Sequence, residues 1–231
     1  MNRIVAAIAY SLGFTSCALA DPPKAVETTF NKDLLKAAGD YKSWGRVDDE
    51  VRFAPELCRL PNPGVARVSA SKDEATHGQK LYSLFARNRL DYILRGPGKT
   101  FAVGQVVVKQ SWVPEEITDP ALKPAPKIDR SKIVTAKNPA FDPKDPNADP
   151  FSKNDHFYPY AWKGEKVFKA TKQADLFIMM KLDPKTPETD EGWVYATVTS
   201  DGKIVTAAGK IESCMKCHVE AKIDRLFGLA K

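Results

Sequence analysis

The chain has 231 residues, of which 43% are hydrophobic and 28% charged, and its formal net charge is +6. This length suits one domain of ordinary size with room for an insertion. The basic residues are scattered along the chain, which argues against nucleic-acid binding, and no segment after residue 20 is apolar enough to span a bilayer.

Residues 1–20 have the pattern of an export signal. Arg3 supplies a positive start, residues 4–14 are mostly apolar but too few for a membrane span, and Ala18-Leu19-Ala20 matches a small-x-small cleavage site. We therefore expect a mature chain of residues 21–231 in the periplasm. Loss of Arg3 leaves a modest net charge of about +5.

Short helices and loops are predicted for the start of the mature chain. Asn31 is a candidate cap for a helix over residues 32–38, which Gly39 would end. Asp40 then begins a further turn that carries Tyr41 and Trp44. Residues 51–70, with three prolines and a glycine, are expected to form a loop.

The middle and end of the chain are rich in predicted strands. Residues 79–86 alternate as in a strand, although the spacing of Ser71 and Glu74 resembles a helix-capping box and leaves a helix open. Asn88 is expected to cap a short helix over residues 89–95. The other strands are predicted from β-branched and aromatic runs at 101–112, 175–182, 193–200 and 203–207, with Asp201-Gly202 forming a hairpin turn.

A proline-rich segment separates these strands. Residues 113–159 contain nine of the seventeen prolines, which excludes a regular helix or a central strand there. Neither flank can form a complete core alone, so we interpret the segment as a surface insertion in one domain. Loops of this length often serve as lids or binding surfaces.

The sequence Cys214-Met215-Lys216-Cys217-His218 is the attachment pattern of a c-type haem. The two thiols would bond to the haem vinyl groups, and His218 would be the proximal iron ligand. A zinc site would need two further ligands, and only Cys58, His77 and His156 remain. A redox Cys-x-x-Cys pair normally follows a strand in a βαβ unit, which the pattern here lacks.

The position of the motif near the C-terminus indicates an open second axial site. No methionine follows His218, and Met179 and Met180 lie upstream on a strand, where core packing is the simpler interpretation. A helix is predicted from Cys214 to Phe227. A four-helix cytochrome would need helices before the motif, whereas a β-hairpin is predicted there.

The chain resembles the cytochrome P-460 family, which includes the cytochromes c′-beta. The resemblance lies in Tyr41-Lys42-Ser43-Trp44, Gly104 to Lys109, Gly192-Trp193-Val194-Tyr195 and the haem motif. It implies an α+β fold, an antiparallel β-sheet with a few short helices, with one haem c held between the sheet and the C-terminal helix. It also implies a five-coordinate iron and, often, a homodimer.

The resemblance further implies a role for Lys109. Enzymes of this family bond a strand lysine to the haem macrocycle and oxidise hydroxylamine or nitric oxide, passing electrons to an exported cytochrome. The matching position is Lys109. The c′-beta members lack the cross-link and bind nitric oxide at an apolar distal wall, for which Phe101, Phe177, Trp193 and Tyr195 are candidates. Electron transfer alone is the third alternative.

The sequence does not identify the distal carboxylate that the family's enzymes use to move protons. Glu212 is near the motif but is equally suited to a helix start. His77 and His156 are other candidate ligands or proton carriers, although a structural or exposed role is the simpler explanation for each. Cys58 is expected to be a buried thiol that takes no part in haem attachment.

Overall fold

The structure is a computed structural model that describes residues 23–47, 67–68, 80–118, 160–163 and 165–227. Several predictions fall outside these ranges. They concern the signal peptide at 1–20, most of the loop at 51–70, the alternative helix start at Ser71 and Glu74, and residues 119–159 of the insertion. Cys58, His77 and His156 also lie outside the described residues.

In the described part of the chain, seven strands form one sheet in which every pair is antiparallel. Five strands make its body in the order β2-β3-β5-β6-β7, with β1 beside β2 and β4 beside β5. The strands are β1 (Arg67–Val68), β2 (Leu81–Ala86), β3 (Val106–Ile117), β4 (Tyr160–Lys163), β5 (Lys166–Lys181), β6 (Trp193–Val198) and β7 (Val205–Gly209). The predicted α+β class with an antiparallel sheet is confirmed.

Three short α-helices lie in the described residues: α1 (Asn31–Asp40), α2 (Arg89–Leu94) and α3 (Glu212–His218). None is long and apolar enough to cross a membrane. The predicted cap of α2 is confirmed, because the Asn88 side chain accepts a hydrogen bond from the Asp91 amide at 3.0 Å.

The predicted ends of α1 are wrong. Phe30 is the residue before the helix, and the Asn31 side chain instead donates to the carbonyl of Val26 at 2.9 Å. Gly39 lies within α1, which continues into a 3-10 turn at Tyr41–Trp44. The chain leaves the helix at Gly45, whose φ of 76° suits glycine.

The proline-rich boundary also needs correction, since β3 continues past Trp112 to Ile117 and includes Pro114. The pairing of β3 with β5 shifts register on both sides of Trp112. Such irregularities release a ladder position from hydrogen bonding, which allows a proline without an N–H donor. At the other end, β3 starts at Val106 and not at Phe101, because Gly104 has a φ of 95° in the preceding turn.

The two faces of the sheet bury different clusters. On the first, which we call the α1 face, Val106, Val108, Ile178 and Met180 pack with Leu34 of α1 and with their neighbours. On the second, the α3 face, Val107, Met179, Trp193 and Tyr195 pack with the residues around α3. Successive strand residues alternate between the two faces, so the position of a residue along β3 decides which of the two clusters its side chain faces.

The predicted helix from Cys214 to Phe227 is wrong in length, since α3 ends at His218. The chain beyond it makes turns that bring Ile223 and Leu226 together. The hairpin before the motif is confirmed, with β6 paired to β7 through residues 199–204. There the Thr199 amide donates to the Ile204 carbonyl at 2.9 Å, and Gly202 has a positive φ of 76°.

Candidate haem site

The two motif cysteines lie on α3, one helical turn apart. Cys214 is half-buried and packs with the cluster of the α3 face, whereas Cys217 is exposed. Because residues three apart on a helix lie on the same side, the two sulfurs are placed to bond with one flat group.

His218 ends α3, and its ring is held by the backbone. The Nδ1 atom of His218 lies 2.6 Å from the carbonyl oxygen of Arg225. A carbonyl can only accept, so Nδ1 carries the proton and donates. The Nε2 atom is left as the unprotonated nitrogen of the neutral ring, which is the form that binds a metal.

The protonation of His218 suits the same role. Burial lowers the pKa of His218 most, and the nearby charge of Lys109 lowers it further, while the Arg225 hydrogen bond acts in the opposite direction. The net result is a pKa below the ordinary value. The imidazole is therefore neutral at neutral pH.

The Arg225 carbonyl belongs to a turn with an unusual backbone. Asp224 and Arg225 have φ angles of 44° and 66°, and the Leu226 amide donates to the Ile223 carbonyl at 2.8 Å. Two successive positive φ angles define a type I′ turn, which normally uses asparagine and glycine. Aspartate tolerates this conformation but arginine does not favour it, so the sequence carries only a weak signal for the turn.

Buried polar contacts hold Asp224 in place. Its carboxylate accepts from the Phe101 amide at 2.8 Å, Lys181 Nζ at 3.0 Å and Trp193 Nε1 at 3.2 Å. The side chains of Lys181 and Asp224 are 4% and 5% exposed, so the ion pair is sheltered from water. The turn is thus anchored to β5, β6 and the loop before β3.

Arg225 makes a second ion pair, with Asp190. Its Nε donates to Asp190 Oδ2 at 3.0 Å and its Nη2 donates to Oδ1 at 3.2 Å. The Tyr195 hydroxyl also donates to Oδ2 at 2.8 Å. Burial alone would raise the pKa of Asp190, but the hydrogen bonds from Arg225 and Tyr195 outweigh it and lower that pKa.

Lys109 lies on the α3 face, the same side of the sheet as the motif. In β3 it is two residues from Val107, and it pairs with Leu84 of β2 and Phe177 of β5. Its Nζ lies 4.3 Å from the centre of the Tyr82 ring. Burial, and secondarily the charge of Lys80, lowers the pKa of Lys109 to about 7.

The aromatic candidates for a distal wall divide into two groups. Phe101, Trp193 and Tyr195 are nearly fully buried in the core of the α3 face. Phe177 is half-buried beside Lys109, its ring centre 5.9 Å from Nζ. Phe177 is therefore the one of these four positioned to face a bound group next to Lys109.

The two methionines considered as iron ligands point to opposite sides of the sheet. Met180 packs in the core of the α1 face, away from the motif. Met179 packs on the α3 face in the cluster that includes Cys214 and Met215. Core packing accounts for both side chains.

Most carboxylates near the motif already form ion pairs. Glu212 is exposed and forms an ion pair with Lys216 at 2.9 Å, which lowers its pKa. It starts α3, after Ile211, and its carboxylate stays in solvent. Asp175 is half-buried and lies two residues before Phe177 on β5, where the pairing of β5 with β3 shifts register. The sequence alone did not single out Asp175.

The residues around α3 fit a covalently held haem. The structure supplies two cysteines at helical spacing, an imidazole with Nδ1 committed to a carbonyl, and partly buried Leu84, Lys109 and Phe177 on the facing strands. Among the described residues, no group of three or more His, Cys, Asp or Glu side chains is arranged to hold a metal ion. The motif side chains thus share a helix without converging on one point.

Comparisons with known proteins do not assign the chain to a family. No family model matches the chain, and a search of curated proteins finds no match. The resemblance to cytochrome P-460 therefore stays a prediction that depends on the residues described above.

Proposed function

We propose that this chain is an exported c-type haem protein that oxidises hydroxylamine or nitric oxide. One observation carries the proposal, namely the 2.6 Å contact between His218 Nδ1 and the Arg225 carbonyl, beside the two motif cysteines of α3. A histidine that ligates a metal usually donates its other ring N–H to a carbonyl or carboxylate. A plain surface helix would not need this arrangement.

The proposed roles follow from position. Cys214 and Cys217 would hold the haem by thioether bonds, and His218 Nε2 would ligate its iron. When bound, the haem would supply a redox-active iron for chemistry on a small nitrogen species. The α3 face of the sheet would exclude water on the side that carries Leu84 and Phe177.

Lys109 is the proposed site of a bond to the macrocycle. Its pKa of about 7 leaves a large share of the amine unprotonated at neutral pH, and only the neutral amine is a nucleophile. Replacing an N–H and a C–H bond by an N–C bond releases two electrons and two protons. A peroxide would accept both and be reduced to water.

Asp175 is the proposed proton carrier. Oxidation of hydroxylamine releases protons, and a carboxylate within hydrogen-bond reach of the substrate would accept them. Among the described carboxylates considered near the motif, Asp190 and Asp224 are occupied by ion pairs and Glu212 is solvent-exposed. Asp175 is half-buried and lies two residues before Phe177 along β5.

The remaining expectations complete the proposal. Electrons would leave to another exported cytochrome, consistent with a periplasmic location after removal of residues 1–20. The family resemblance favours a homodimer. None of these roles requires a nucleic acid or a membrane span.

Turnover of the holoprotein tests the proposal. Purified holoprotein is mixed with hydroxylamine, and the reduction of a soluble one-electron dye is followed. We expect hydroxylamine-dependent reduction that falls at least tenfold in Asp175→Asn while nitric oxide binding stays. Asp183→Asn, an exposed carboxylate on the loop after β5, is the matched control. Haem-loaded wild type without turnover would contradict the enzyme proposal.

Nitric oxide capture without turnover is the second candidate. The aromatic setting of Lys109 favours it, because Tyr82 and Phe177 make this part of the α3 face apolar. A ferrous holoprotein that binds nitric oxide tightly but leaves the dye oxidised would support this reading. A low-spin spectrum with methionine ligation would instead support electron transfer through Met179.

A further inference from the structure

The turn after α3 contains backbone strain at the residue that contacts His218. Asp224 and Arg225 both have positive φ angles, a region that residues with a Cβ rarely adopt, although aspartate enters it more readily than arginine. Such strain persists only where surrounding contacts determine the conformation. The carbonyl that accepts from His218 is that of Arg225, the second strained residue.

Two separate sets of contacts determine this turn. The first is the Asp224 carboxylate, whose three buried hydrogen bonds fix the first strained residue. The second is the two-pronged ion pair between Arg225 and Asp190. Three buried contacts to Asp224 would by themselves anchor the turn to the sheet, so the second set is not needed for that purpose.

Asp190 is itself rigidly placed. Its backbone N–H and carbonyl form a pair of hydrogen bonds with Trp193, each 2.9 Å long. Its carboxylate also accepts from the buried Tyr195 hydroxyl. The Asp190 side chain is 7% exposed and the Arg225 side chain 18% exposed, so the pair is only weakly screened by water.

We propose that Asp190 and Arg225 are positioning residues for His218. Their ion pair fixes the peptide whose carbonyl accepts from His218 Nδ1, and so sets the tautomer, the ring direction and the strength of that hydrogen bond. A stronger hydrogen bond at Nδ1 makes the imidazole a better electron donor to iron and stabilises the oxidised metal. This inference rests on the proposed haem attachment and adds that Asp190 and Arg225 tune the redox potential of the iron.

The test uses the holoprotein and three variants. Asp190→Asn weakens the ion pair, and Arg225→Gly removes it while suiting the positive φ, so the second variant is expected to fold. Glu191→Gln is the control, because Glu191 also contacts Arg225, at 3.3 Å, but is 71% exposed. The readouts are the ferrous iron–histidine stretching frequency by resonance Raman spectroscopy and the midpoint potential.

In Asp190→Asn and Arg225→Gly, we expect a lower iron–histidine stretching frequency. We also expect the ratio of oxidised to reduced protein at a fixed potential to be about tenfold smaller, which equals a rise of about 59 mV in the midpoint potential. Glu191→Gln should behave as wild type. If both test variants kept the wild-type stretching frequency and midpoint potential, even with reduced stability, this inference would be overturned but the proposed function would not. A wild-type chain that acquires no covalent haem would overturn the proposed function first.

Discussion

Lys109 of β3 and His218 of α3 lie on the same side of the sheet, close enough to interact electrostatically. Burial is the main cause of the lowered pKa of His218, and the charge of Lys109 adds to it. The two residues are far apart in sequence. Their proximity arises because Lys109 follows Val107 by two residues on β3, and α3 packs over the row that contains Val107.

The first prediction concerns the Lys109 cross-link. We expect the ferrous wild-type holoprotein to show a strongly red-shifted Soret band after peroxide treatment, since ring substitution alters the haem electronics. Lys109→Ala should keep the haem and lose the shift. Lys172→Ala, which removes an exposed lysine of β5, is the matched control and should retain it. An ordinary c-type spectrum in wild type would rule out the cross-link.

A second prediction concerns Asp224. Its removal in Asp224→Ala leaves the Lys181 ammonium, in a side chain 4% exposed, without its carboxylate. Breaking a buried pair in this way costs about 3–5 kcal/mol. Denaturant unfolding followed by circular dichroism measures the loss. Asp201→Ala, which breaks an exposed pair with Lys203, should cost much less, and equal losses would contradict the account.

The sequence predicted most of the sheet but not the turn that orients His218. Strands β2, β6 and β7 follow from β-branched and aromatic runs, because such runs reflect packing on a pleated surface. For β5 the sequence predicted only residues 175–182, whereas the strand begins at Lys166. The turn at Asp224 and Arg225 could not be predicted, since its positive φ angles depend on ion pairs with residues on β5 and before β6. Likewise Gly39 signalled a helix end that the packing of α1 against the sheet overrides.

The motif and Lys109 were identifiable for a different reason. A Cys-x-x-Cys-His sequence is local and needs no tertiary information, and Lys109 was singled out by the family resemblance. Asp190 and Arg225 gave no local signal, because each is an ordinary charged residue until the fold pairs them. Asp175 was equally hidden, since only the fold shows that it is half-buried on the strand that carries Phe177.

The third prediction uses two glycines with opposite surroundings. A Cβ at Gly192 would lie 2.5 Å from the Leu182 carbonyl oxygen, and its φ is 88°. Gly192→Ala should therefore lower the free energy of unfolding by at least about 2 kcal/mol. Gly39 lies within α1 with nothing within 4 Å of a new Cβ, so Gly39→Ala should raise it by about 0.5–1 kcal/mol. Thermal unfolding measures both changes, and a stabilising Gly192→Ala would be inconsistent with this geometry.

The fourth prediction concerns stability in acid. The pKa of Asp190 is lower in the folded protein than in the unfolded chain, where an aspartate has a pKa of about 3.9. The stabilisation from the ionised Asp190 carboxylate is therefore complete above the unfolded-state pKa of about 3.9. It is lost as the pH falls through the lower folded-state pKa. Asp190→Asn should reduce the free energy of unfolding by about 2 kcal/mol at pH 7 and flatten its decline in acid.

Unfolding curves measured from pH 7 down to acid test this directly. Tyr195→Phe removes one of the donors to the Asp190 carboxylate, so its acid decline should lie between those of wild type and Asp190→Asn. Identical acid profiles for wild type and Asp190→Asn would show that the ion pair with Arg225 contributes nothing to folding.

The central claim is that Cys214 and Cys217 hold one haem whose iron is bound by His218. The most direct measurement is the intact mass of the denatured protein after expression in a host that attaches c-type haem outside the cytoplasm. The account predicts residues 21–231 plus one haem for wild type, and the polypeptide alone for a Cys214→Ala, Cys217→Ala double variant. A wild-type protein with only the polypeptide mass would contradict it.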